Sequence, residues 1–163
     1  TELFFETVEP TNSDVSLESM LAKLPAGNYT IEGKAMENGE SKGTTKGTAW
    51  LTHDIPEGPV LLTPKSGATV AADNLSVSWQ PVSKTIKGTP AKIIAYQLII
   101  EKDEPVHQHM IGKRGLSMYL PSSTTSITVP RGFLEPNTTY KWEVLAIEES
   151  GNQTLSSDEF RTE

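Results

Sequence analysis

Leu134-Glu-Pro-Asn-Thr-Thr-Tyr-Lys-Trp-Glu-Val-Leu-Ala-Ile-Glu-Glu-Ser-Gly-Asn-Gln-Thr154 is the stretch on which the fold turns. Side chains alternate between the two faces of a strand, so Tyr140, Trp142, Val144 and Ala146 share one face. Leu134 and Pro136 sit just before them in a turn, and Gly151 follows in the next loop.

Working outward, residues 60–64 read as a strand. So does Leu75-Ser-Val77-Ser-Trp79, with clean in–out alternation. Residues 81–92 form a polar loop. A strand over residues 93–102 follows, with Ile94, Tyr96, Leu98 and Ile100 expected inward. A loop runs through Asp103-Glu-Pro-Val-His107, a further strand lies between Met110 and Leu120, and another covers residues 126–129. Residues 148–156 read as a loop before a closing strand through Phe160. Short strands at this spacing make a β-sandwich.

Trp79, Tyr96, Leu134, Pro136, Tyr140, Val144, Ala146 and Gly151, in this order, resemble a fibronectin type III domain over residues 58–163. The resemblance implies a "tyrosine corner", in which the Tyr140 hydroxyl bonds back to the turn before its strand. It also implies that Trp79 is a core residue. It names no activity, because a sandwich hosts many functions.

Residues 1–57 read as a partial β module. Leu-Phe-Phe-Glu-Thr-Val8 is a strand of aromatic and β-branched residues. Ser16 caps a short helix, residues 17–24, with Leu17, Met20, Leu21 and Leu24 on one face. Tyr29, Ile31 and Gly33 alternate on a strand, Asn38-Gly39 is a hairpin turn, and the return strand covers residues 45–52. Leu24-Pro25-Ala-Gly27-Asn-Tyr29 echoes the Leu134 to Tyr140 stretch. The module is therefore either the last strands of a second immunoglobulin-like domain or a hairpin appended to the next one. Ile55-Pro-Glu-Gly-Pro59 is the boundary, stiffened by its prolines.

Thr-Glu-Leu-Phe-Phe-Glu6, Glu9-Pro10, the Leu24 to Tyr29 stretch and Leu51-Thr-His-Asp-Ile-Pro56 resemble a group of uncharacterised exported bacterial proteins. That resemblance implies an extracellular or periplasmic chain with further strands upstream. The start at Thr1 rather than Met is expected of a chain that is processed, proteolysed or cut to this boundary.

Composition narrows the partners. Hydrophobic residues are 36% of 163, which suits a thin two-layer β protein against a usual ~45–50% for apolar residues plus Gly. The net charge of −7 repels phosphate, so neither nucleic acid nor an anionic membrane surface is expected as a partner. No apolar run is long enough to span a membrane. With no cysteine there is neither a disulfide nor a thiolate metal site.

Candidate chemistry is sparse. His107 and His109 are two imidazoles on one side of an extended segment, with Asp103 and Glu104 nearby. A metal site needs a third or fourth ligand at fixed distance, so a solvated loop is expected. Glu6, Glu9, Asp14 and Asp54 are oxygen donors of the kind calcium takes, but no Asp-x-Asp-x-Asp-Gly loop organises them. His53-Asp54 lacks a nucleophile motif to serve and reads as a strand end. No catalytic residue, cofactor or metal ligand is assigned.

The outward-facing apolar residues carry more. Ile99 should point away from the core beside Leu98 and Ile100, and Leu145 and Ile147 should do so beside Val144 and Ala146. The two strands are neighbours in a sandwich, so these three are expected to form one apolar contact patch. The expected fold is all-β, an immunoglobulin-like, fibronectin type III sandwich after a partial β module. The expected role is a non-catalytic interaction or spacer module with a protein partner. The alternatives are a carbohydrate-binding accessory domain of a secreted enzyme, with Trp50 as its platform, and a self-associating structural unit.

Overall fold

The computed structural model describes residues 13–163. The strand expected near residues 3–8 lies outside the described residues. Two compact units emerge, Thr1–His53 and Asp54–Glu163.

In the first unit, α1 (Leu17–Lys23) starts at Ser16, whose hydroxyl accepts the Ser19 N–H at 3.2 Å. Leu17, Met20, Leu21 and Leu24 make one half-buried stripe. Strands β1 (Gly27–Glu37) and β2 (Glu40–Leu51) form an antiparallel ribbon with Gly27 opposite Leu51. The turn needs φ > 0 twice, and Asn38 (φ 50°) and Gly39 (φ 83°) supply it. Most of the ribbon is exposed, Ile31, Met36 and Trp50 included. Before β1, the Tyr29 hydroxyl donates back to the Pro25 carbonyl at 2.7 Å.

The second unit is a two-layer sandwich. One sheet holds β3 (Leu61–Thr63), β5 (Ser76–Trp79) and β8 (Ser126–Thr128), in that order. The other runs β4–β10–β9–β6–β7, where β4 is Ala68–Val70, β6 Ile93–Lys102, β7 Gly115–Pro121, β9 Thr139–Glu148 and β10 Gln153–Thr162. The inner faces meet in a core of Val77 and Trp79 against Tyr96, Leu98, Ile100, Tyr140, Trp142, Val144 and Phe160. Burying each of these large side chains contributes about 1.5–3 kcal/mol. Trp79 meets Tyr96 edge-on at 5.5 Å, and the Tyr96 hydroxyl accepts the Val82 N–H at 2.8 Å. Tyr140 stacks on Phe160 at 5.6 Å, and its hydroxyl accepts the Glu135 N–H at 2.9 Å. That bond is the corner. The fold is the all-β, immunoglobulin-like sandwich of fibronectin type III layout.

Three local expectations change. Ile94 is not inward but 51% exposed, because the β6–β9 pairing shifts register between Ile93 and Ala95 and resets the alternation there. The loop expected over residues 148–156 is shorter, since β10 already starts at Gln153. Strand β4 was not anticipated. It pairs in parallel with β10, Thr69 opposite Arg161, and its three residues are too few for periodicity to mark.

Candidate interaction face

The register of four strands sets the outer face of the five-stranded sheet row by row. Tyr119, Gln97, Leu145 and Leu155 lie across β7, β6, β9 and β10 in one row. Pro121, Ala95, Ile147 and Gln153 form the row on one side of it, and Ser117, Ile99, Glu143 and Ser157 the row on the other. Beyond these come Gly115, Glu101, Lys141 and Glu159.

All three residues expected on this face belong to it by phase, but they are not equally accessible. Ile99 and Leu145 are half-buried, while Ile147 is only 9% exposed. Ile147 sits on a central strand, flanked by Ala95 and Gln153, so facing outward does not leave it open. The accessible apolar surface comes from two residues outside the expected set: Tyr119 at 71% and Leu155 at 45% exposure. Parity carries both. Tyr119 alternates with Met118 and Leu120, and counting back from Phe160 puts Leu155 on the outer side.

The far end of the face is charged. Lys141 is ion-paired with Glu143 at 2.6 Å. The hydrogen bond to Glu143 pushes its ammonium pKa up, and Glu101 and Glu159 add to the rise. Three carboxylates surround one cation there, so the face grades from apolar to acidic.

A second charged cluster holds the corner. Buried Lys102 pairs with Glu135, and Arg114 bridges Glu135 at 2.9 Å and Glu104 at 3.2 Å. The hydrogen bond from Lys102 holds the Glu135 carboxyl below its usual range, with Arg114 assisting. Lys102, Arg114 and Glu135, with Phe133 and Tyr140, line a depression that Glu104 borders through Arg114. Its cations are matched by its carboxylates, so it latches the turn before β9 rather than offering a free anion site.

The histidines do other work. His53 Nε2 bonds the Leu24 carbonyl at 2.7 Å inside the first unit. The His107 and His109 rings lie 5.5 Å apart, with Gln108 at 3.2 Å from His109. Among the described residues no three His, Asp or Glu side chains gather closely enough to hold a metal ion. Glu6 and Glu9, named as oxygen donors, lie outside the described residues. No helix among the described residues is long and apolar enough to cross a membrane.

No known family model matches the chain. Among solved structures, it is similar to the third fibronectin III domain of human KIAA0343 protein, at 20% identity over 68% of this chain and 86% of that one, with a TM-score of 0.48. The fn3 domain of the human collagen alpha-1(XX) chain is 22% identical over 66% of this chain and 82% of its own, with a TM-score of 0.44. Chicken CNTN1 FN1–FN3 domains match at 16% identity over 85% of this chain and 42% of that one, with a TM-score of 0.43. The sandwich is identified by its own strand order and corner, and these likenesses assign it no ligand.

Proposed function

We propose that this chain is a non-catalytic interaction or spacer module of an exported bacterial protein, working in the periplasm or outside the cell. The observation that carries the reading is the Tyr119–Gln97–Leu145–Leu155 row, which sets exposed Tyr119 and Leu155 in register with half-buried Leu145 across one sheet face. Export is supported by the resemblance of the segments between Thr1 and Pro56. The Tyr29–Pro25 bond supports reading the first unit as the closing strands of a second immunoglobulin-like domain. The partner surface is protein, since a net charge of −7 disfavours nucleic acid and anionic lipid.

The test is site-specific photo-crosslinking in cells that export the protein. A photoreactive residue replaces Tyr119 in one variant and Ile86, which lies off this face, in the other. A discrete adduct from position 119 that disappears with Leu155→Lys supports the reading. Equal labelling from both positions, or none from 119, removes it.

The carbohydrate alternative has one specific observation behind it, the 66% exposed indole of Trp50 on the open ribbon. It requires glycan binding that Trp50→Ala abolishes. A glycan array with no binder rejects it.

A further inference from the structure

Sheet edges present unpaired N–H and C=O groups, and proteins blunt them with charge, proline, irregular register or sheer shortness. The edges among the described residues are nearly all managed this way. Strands β3, β4 and β8 have three residues each. The β1–β2 ribbon carries Glu32, Lys34, Glu37, Glu40, Lys42 and Lys46, and its register shifts between Lys34 and Met36.

Strand β7 is the exception. Its seven residues, Gly115-Leu-Ser-Met-Tyr-Leu-Pro121, carry no charge, and its register with β6 runs unbroken. It ends the five-stranded sheet, and proline comes only at its last position.

The phase of the ladder shows which groups are free. The Lys102 N–H donates toward β7, to the Arg114 carbonyl at 3.5 Å, while the Asp103 N–H donates the other way, to Thr139 at 3.0 Å. Alternation along an antiparallel pair then turns the main-chain groups of Leu116, Met118 and Leu120 toward β6. Those of Ser117 and Tyr119 face the open edge. On the inner side, Leu116, Met118 and Leu120 are only partly buried, although they pack against the core. Among the described residues, the edge therefore exposes unpaired main chain and incompletely covered aliphatic side chains together.

We propose that β7 pairs antiparallel with β7 of a second copy, about a two-fold axis at Met118, so that two five-stranded sheets run on as one. The strand is self-complementary in that register. Leu116 lies opposite Leu120 of the second copy, Met118 opposite its own counterpart, and Ser117 opposite Tyr119. The Ser117 and Tyr119 pairs exchange main-chain hydrogen bonds through the groups that face outward. A shift by two residues sets Leu120 against Arg114 in one direction and Leu116 against Ser122 in the other, so only this register pairs the whole aliphatic row.

Self-complementarity selects the occupant, and charge sets where two copies can meet. Each chain carries −7, and contact through the outer faces brings in the carboxylates of Glu101, Glu143 and Glu159. The β7 seam joins uncharged residues to uncharged residues. A seven-residue seam is small beside the ~1,200–2,000 Å² of a standard interface, so the dimer forms in a concentration-dependent way. This inference goes beyond the outer row, because its contact is the strand edge.

The experiment is light scattering on a sizing column over a concentration series, paired with amide hydrogen exchange at the lowest and highest concentrations. The expected result is a monomer–dimer equilibrium, with Ser117 and Tyr119 amides slowed at high concentration and Leu116 and Met118 protected throughout. Ser117→Pro removes a seam donor without removing a bond to β6, and it should weaken dimerisation at least tenfold at an unchanged unfolding midpoint. Leu155→Lys, which strikes the outer row, should leave the dimer intact. A monomer at every concentration overturns the proposal. So does a dimer whose Ser117 and Tyr119 exchange is independent of concentration, and that outcome stands even if Ser117→Pro fails to fold.

Discussion

Tyr140→Phe isolates the bond that defines the corner. The ring is 1% exposed and stacks on Phe160 at 5.6 Å, so phenylalanine preserves the packing and removes the hydroxyl alone. That hydroxyl accepts the Glu135 N–H at 2.9 Å. A net hydrogen bond contributes about 0.5–1.5 kcal/mol, and stranding the donor away from water raises the loss toward ~1–3 kcal/mol. The expected cost is about 2 kcal/mol. At ~4 °C per kcal/mol for a domain of this size, Tm should fall by about 8 °C. Tyr29→Phe is the internal control. Its hydroxyl instead donates, to the Pro25 carbonyl, and sits on an accessible ribbon where water replaces the lost partner, so the expected cost is ~0.5 kcal/mol or less. Urea unfolding followed by tryptophan fluorescence reads the second unit. Trp79 and Trp142 are 1% and 0% exposed there, whereas Trp50 is already 66% exposed. An unchanged m-value with a lowered midpoint is the expected signature. A Tyr140→Phe cost below about 0.5 kcal/mol, or an equal cost from Tyr29→Phe, refutes the argument that burial is what gives the corner its weight.

Other outcomes follow from the same geometry. The Glu135 carboxyl is held below its usual pKa in the folded state, first by the Lys102 hydrogen bond. Its contribution to stability is therefore present above the unfolded pKa near 4.5 and is lost as pH falls through the lower folded value. Denaturation midpoints between pH 6 and pH 2, about the range over which carboxylates titrate, should fall less steeply in Glu135→Gln than in the wild type, and parallel curves would contradict the latch. Ile147→Lys should destabilise by roughly 2–4 kcal/mol, because it places a cation at a position only 9% exposed. Leu155→Lys should change stability by less than about 0.5 kcal/mol. Chemical denaturation of the two variants side by side decides this, and equal costs would mean that the outer row is uniformly covered. Gly39→Ala forces a side chain into φ 83° and should weaken the ribbon by about 1 kcal/mol, seen as faster amide exchange in β1 and β2 with β9 unchanged.

The sandwich was legible because its strands alternate cleanly where it matters. Val77 and Trp79, Leu98 and Ile100, and the run from Tyr140 to Ala146 each repeat at period two, and a buried face punishes any slip of that phase. The corner residues were legible for a different reason: Leu134, Pro136 and Tyr140 have to occur at a fixed spacing for the hydroxyl to reach the turn. Ile94 was misplaced because a register shift between Ile93 and Ala95 resets the phase, and nothing in Ile93-Ile94-Ala95 signals where the shift falls. The β4 segment was missed because three residues cannot display a period.

The outer face of the five-stranded sheet was legible only in part, and the reason is geometric. Alternation assigns a residue to a side of a strand, but accessibility depends on what the neighbouring strands place beside it. Ile147 and Leu155 have the same outward phase, yet 9% of one is exposed against 45% of the other. Ile147 has a strand on either side of its own with Ala95 and Gln153 flanking it, while Leu155 lies on β10, where β4 pairs only with Phe160, Arg161 and Thr162. Tyr119 is opened by the same rule, since among the described residues β7 ends its sheet and no strand pairs beyond it. The order of strands in the sheet, which no single strand encodes, therefore decides which outward apolar residues can meet a partner. Because that order leaves both Tyr119 and the main chain of β7 uncovered, the exposed end of the row and the unguarded edge are two consequences of one topological fact.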